Sequence, residues 1–78
     1  MAGIMDKLKF IKNAVDVRDT SENTVTILSE LKTDTELLPV YKVPISILAL
    51  AALDLLGIEK YQGVDDDVPL WKANLLNT

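Results

Sequence analysis

The densest run of ligating side chains in this chain is Asp65, Asp66 and Asp67, in the stretch GVDDDVPLW. Carboxylates bind Ca2+ from a loop when they alternate along it and a glutamate closes the set. These three are adjacent, so they point in different directions, and the closing glutamate is missing. Their spacing better suits a helix start, with Asp67 as the N-cap, Pro69 in the first turn and the other two carboxylates facing the positive helix end. No metal site is expected.

Asp54 is the second candidate, because it is the single charge within VPISILALAALDLLGI, Val43 to Ile58. In a water-soluble fold it is expected at the protein edge or paired with Lys42 or Lys60. In a bilayer it would become a functional residue. Neither case places a second carboxylate or a histidine at a predictable spacing, so no general acid–base pair can be assigned. The chain has no Cys and no His, which removes thiol nucleophiles, disulfides and the usual zinc ligands. It also lacks a glycine-rich phosphate loop, and Ser46 in VPISIL has no neighbouring acid that would mark a carrier serine. The expectation is a non-enzymatic protein with no cofactor.

Whatever these residues do, the elements around them must be small. Seventy-eight residues, 1–78, read as one domain, burying roughly 60% of its unfolded surface and giving a core of modest stability. Such chains need an unusually apolar core, self-association, or the support of an assembly or a bilayer. A hydrophobic fraction of 49% fits each of these. The net charge of −4 and a single arginine, Arg18, disfavour direct binding to nucleic acid, which needs clustered bases. Lys7, Lys9 and Lys12 are the nearest approach to a basic patch, and they read as a solvated helix face.

Ile4, Leu8, Ile11 and Val15 recur at helical spacing and fall within about 60° of one another, which predicts an amphipathic helix packed on the core. Acids and bases alternate through this segment, so it does not read as a secretory signal. An interfacial helix lying on a membrane is the less favoured use of it. A polar connection, DVRDTSENT, follows, with Ser21 or Thr20 capping a second helix through Leu31. TVTIL, residues 24–28, also has the composition of a strand, but LSELK continues it without a turn residue, which favours helix. Pro39 and Pro44 bias Leu38 and Val43 towards extended backbone, so a short extended segment is expected near 40–43.

Pro44 and Gly57 bracket a central helix, Ile45 to Leu56, of about 18 Å. That is short against a hydrocarbon thickness of roughly 30 Å. Stretched to residues 41–61 the segment reaches about 31 Å, with tyrosine and lysine on both flanks as a membrane interface favours. Its leucines and isoleucines contribute roughly −3 to −5 kcal/mol to insertion, opposed by up to about +3 from Asp54. Burial in a protein core is favoured, and a single-pass or peripheral membrane subunit using 41–61 is the alternative.

The wheel of this helix is apolar nearly all round, with Leu48, Ala49, Ala52 and Leu55 on one side and Leu50 and Asp54 on the other. A helix of this kind must be covered on every side, and so short a chain offers little cover. The expected fold is mainly α, with three to four short helices around the central one. The residues expected to meet a second copy or a partner protein are Leu48, Ala49, Ala52, Leu55, Leu50 and Asp54, joined by Leu70, Trp71 and Leu75 of the C-terminal segment. The expected role is protein contact, as a self-associating accessory subunit of a phage particle or other assembly, or as a small binding regulator. A cytoplasmic or particle location suits that role, and a membrane association suits the alternative.

Overall fold

The computed structural model describes residues 3–77. It contains four helices, α1 (Ile4–Val17), α2 (Glu22–Leu31), α3 (Ile45–Leu55) and α4 (Asp67–Leu76). Among the described residues the extended structure is one isolated antiparallel bridge, Leu37 to Pro44. The central helix α3 packs on α1, α2 and α4, and α1 also meets α4. The fold is therefore the small helical one expected.

Local chemistry accounts for the boundaries. At the end of α1, Arg18 takes a left-handed conformation, φ 53°. Its N–H donates to Val15 O and the next N–H, of Asp19, donates to Ala14 O. Gly57 repeats this motif after α3, with φ 73°. There the Gly57 N–H donates to Asp54 O at 3.0 Å and the Ile58 N–H to Leu53 O at 3.0 Å. Two helix ends are closed by the same pair of bonds, one with the glycine the motif prefers and one with an arginine.

Ser21 caps α2, its hydroxyl accepting from the Thr24 N–H at 3.4 Å. The β-branched stretch 24–28 is helical because Thr24, Leu28 and Leu31, at spacings of four and three, are the residues that α2 buries. Thr24 brings a hydroxyl inside with it. That hydroxyl donates to Asp19 Oδ2 at 2.7 Å and accepts from Ser21 Oγ at 3.2 Å. The Asp19 carboxylate, bonded first by the Ser21 N–H and then by Thr24, is held below the usual carboxylate range.

α3 has no side-chain cap. Its exposed donors are met by a preceding loop instead, the Ile45 N–H donating to Glu36 O and the Ser46 N–H to Asp34 O, both at 2.9 Å. Lys7 of α1 holds this loop through the carboxylates of Asp34 and Glu36. Residues 40–43 differ from the extended segment expected there. The Leu38 N–H donates to Val43 O and the Lys42 N–H to Leu38 O, each at 2.9 Å, folding the chain into a tight turn. Lys42 sits at φ 58°. The bridge pair, Leu37 and Pro44, lies on either side; Pro39 and Pro44 restrict only Leu38 and Val43, the residues before them, and leave residues 40–42 free to turn.

The cover that α3 needs comes from its own chain. Ile45, Leu48, Ala49, Ala51, Ala52 and Leu53 are all at most 1% exposed. Helices on three sides and the turn between α2 and α3 enclose it, so its all-round apolar surface does not require a second molecule. No helix among the described residues is long and apolar enough to cross a membrane. Pro44 and Gly57 divide residues 41–61 into a turn, an eleven-residue helix and a loop.

Candidate contact surface

The acidic residues singled out in the sequence serve local structure. Asp54 lies on the half-buried edge of α3, and its partner is Lys72 of α4, at 2.9 Å, rather than Lys42 or Lys60. Its other carboxylate oxygen accepts the Tyr61 N–H at 2.9 Å. The Lys72 ammonium first, and then the Tyr61 N–H, hold this carboxyl below its ordinary range in spite of partial burial. It stays ionised and makes a weak base.

The aspartate run starts α4 with roles shifted from those expected. Asp67 is the first helical residue, and Asp66 at the cap makes no side-chain capping bond. The Asp65 carboxylate instead accepts the Asp67 N–H at 2.9 Å. Backbone at Asp66 is already right-handed helical, so its side chain is not turned back towards the first N–H groups as an extended N-cap would be. Upstream, the Asp65 N–H donates to the Tyr61 hydroxyl at 3.1 Å. Gly63 lies so close to that ring that a side chain there would overlap it. Among the described residues no group of acids is placed to hold a metal ion.

The nine residues expected to make contacts fall into four groups. Leu48, Ala49, Ala52, Trp71 and Leu75 are buried within the chain, so they form its core; Trp71 and Leu75 also edge an open depression. Leu50 and Leu55 are half-buried against that core. Leu70 is exposed, and Asp54 is engaged with Lys72.

A different apolar surface remains open. Tyr41, 67% exposed, stands at the tip of the turn between α2 and α3, and its ring meets Trp71 edge-on with centroids 5.2 Å apart. On one side of Tyr41 lies a depression of about 240 Å³ lined by Leu8, Lys12, Trp71, Asn74 and Leu75. On the other is one of about 270 Å³ lined by Met5, Leu8, Leu38, Pro39 and Val40. Leu8 and Tyr41 belong to both, so the two form one groove between α1, the turn and α4. Val40, beside Tyr41, is 82% exposed and Met5 is 52% exposed.

Physical reasons separate this groove from ordinary exposed apolar area. Tight turns are usually built from Gly, Pro, Asn, Asp and Ser; this one has Pro39, yet it also presents Val40 and Tyr41 to solvent. Leu38 and Val43 are buried at its base, whereas Val40 is left to solvent and Tyr41 keeps an edge-on contact with Trp71 while staying 67% exposed. Continuous apolar surface with an aromatic pair at its centre is what a contact site offers. The sequence signal was VYKV between Pro39 and Pro44, which reads as a short extended segment until the turn is seen.

Comparison with known proteins adds no likeness: no family model, no curated protein and no solved structure matches the chain.

Proposed function

We propose that this protein is non-enzymatic and acts through protein–protein contact at the groove around Tyr41. The observation that carries this reading is the turn itself, which exposes Val40 and Tyr41 next to Met5 while its buried residues do the folding. A partner side chain placed there would remove apolar surface from water on both sides of a preformed aromatic pair. The carboxylates that depart from ordinary acidity, at Asp19, Asp34 and Asp54, are all shifted downward by hydrogen bonds that hold the fold. That is the reverse of the upward tuning a general acid needs. A subunit or accessory of a larger particle, or a small regulator that covers another protein's surface, would use such a groove.

The test compares the wild type with Met5→Ser/Tyr41→Ser in the groove and with Val17→Ser, an exposed control outside it. Each is immobilised and exposed to an extract of the cells or particles that make the protein. A protein retained by the wild type and by Val17→Ser, and lost with the double variant, supports the reading. Retention that the double variant leaves unchanged overturns it. Recruitment of the chain to anionic lipid vesicles, abolished by the double variant, would assign the groove to lipid and overturn it as well.

A further inference from the structure

The charge around the groove points to its occupant. Lys7, Lys32 and Lys72 pair with acids of their own chain. Lys9, Lys12, Lys42, Lys60 and Arg18 form no such pair among the described residues, and Arg18 donates to the Leu55 carbonyl instead. Lys12 lines the groove, Lys9 lies about 60° from it on α1, and Lys42 follows Tyr41 in the turn. Three of the five bases without a carboxylate partner thus flank the open apolar groove of an acidic protein.

The same chain carries the complementary shape. Val64 is 97% exposed, the most exposed of the large apolar residues. Three exposed aspartates follow it directly. The loop that presents them is anchored at both ends, by the Asp54 bond to the Tyr61 N–H and by the Asp65 N–H on the Tyr61 hydroxyl. An apolar tip with an acidic flank is thereby held out from the surface in one shape, which lowers the ordering cost of docking.

We propose that the groove of one molecule receives the Val64–Asp67 segment of a second copy, with Val64 between Met5, Leu8 and Tyr41 and the Asp66 carboxylate, which makes no capping bond of its own, facing Lys9, Lys12 and Lys42. This rests on the protein-contact reading and names the partner. The two surfaces lie on opposite flanks of α4: Trp71 and Asn74 border the groove, whereas Pro69 and Lys72 border the loop. A molecule therefore does not fill its own groove, and each copy offers one socket and one tip. The contact is head-to-tail, and repetition makes an open row or a ring. A four-residue segment buries less than the roughly 1,200–2,000 Å² of a standard stable interface, so the association is weak, reversible and sensitive to salt.

Sedimentation velocity from about 10 μM to about 1 mM protein spans the range for so small a contact. The wild type is expected to grow past the dimer as concentration rises, and to lose at least tenfold in association constant in about 0.5 M salt. A socket variant, Lys9→Gln/Lys12→Gln, and a tip variant, Val64→Ser/Asp66→Asn, should each stay monomeric with an unchanged far-ultraviolet circular dichroism spectrum. Mixed in equal amounts they should form a dimer and nothing larger, because each supplies the half the other lacks. A wild type that is monomeric throughout overturns the proposal, as does a dimer that both variants retain or a mixture that does not associate. If the wild type stays monomeric yet still retains another protein through Met5 and Tyr41, the self-assembly fails and the contact reading stands. If Met5→Ser/Tyr41→Ser changes neither measurement, both fail.

Discussion

Lys7 and Asp34, twenty-seven positions apart, join side chain to side chain, and Asp34 in turn receives the Ser46 N–H on its backbone carbonyl. One ion pair between α1 and a loop thereby fixes the cap of α3. The carboxylate of Asp34 is held low first by the Lys7 ammonium and then by the Glu36 N–H. Substituting Lys7→Gln should lower the urea midpoint and speed hydrogen exchange at the Ile45 and Ser46 amides. Amides within α4 should change little, since Lys7 bonds to the α2–α3 loop. Equal acceleration in both helices would show that the pair has no specific link to the cap.

Acid and base should destabilise the fold at opposite ends of the pH range. Asp19, Asp34 and Asp54 are depressed in the folded chain. They therefore contribute stability above the unfolded carboxyl value near about 4, and lose it as pH falls through the folded values. Lys7 is raised, chiefly by Asp34 and then Glu36. Its contribution is complete below the unfolded lysine value of about 10.4 and is lost as pH rises through the folded one. With no histidine in the chain, thermal midpoints should be level from about pH 5 to about pH 9. A step near neutrality would contradict this assignment.

Two of the three exposed left-handed positions, Gly57 and Lys42, should respond with opposite sign. Gly57 has open space beside it, so Gly57→Ala meets no neighbour and costs about 1 kcal/mol through backbone strain alone. Lys42→Gly relieves the same strain in the turn, at φ 58°, and should stabilise by up to about 1 kcal/mol. Chemical denaturation of the two variants beside the wild type reads both.

Stability and contact should separate cleanly by position. Leu48→Ala empties a site that is 0% exposed at the centre of the fold and should cost about 2–5 kcal/mol. Ala52→Leu adds volume where the alanine is also 0% exposed and should cost about 1–3 kcal/mol. Val40→Ser, at 82% exposure, should stay within about 0.5 kcal/mol of the wild type. A large loss of stability at Val40 would mean that the turn's tip holds the core together.

The Asp54–Lys72 pair should be worth no more than about 1 kcal/mol, as for other exposed or half-exposed ion pairs. Asp54→Asn keeps an oxygen for the Tyr61 N–H and loses only the ionic partner. Lys72→Met removes that partner from the other side. The double variant should be no less stable than the worse single one, and denaturation of all three measures the coupling.

The parts legible in the sequence are those set by a residue's own backbone chemistry or by spacing along one element. Ser21 capping α2, Gly57 closing α3 and the Ile4, Leu8, Ile11 and Val15 stripe of α1 all belong to this class. Pairings between elements were not legible. Nothing in the order of residues selects Lys72 over Lys60 for Asp54, because the choice depends on how α4 lies across α3. The groove was hidden for a related reason. The two prolines mark residues 40–43 as extended, and only the turn that leaves Val40 and Tyr41 exposed shows otherwise. Conversely, Leu48, Ala49 and Ala52 looked like surface in search of a partner because the cover for them comes from three separate parts of the chain.

The placement of α3 also bears on how the molecule comes into being. Each of the other helices finds its main support on a segment that is third in the order of synthesis. While only α1 and α2 have left the ribosome, neither has the surface it will settle on. Residues 45–55 are therefore expected to act as the gate, the first half of the chain settling once they arrive and α4 closing the remaining side. A fragment ending before residue 45 is expected to show little of the helix content of the whole chain.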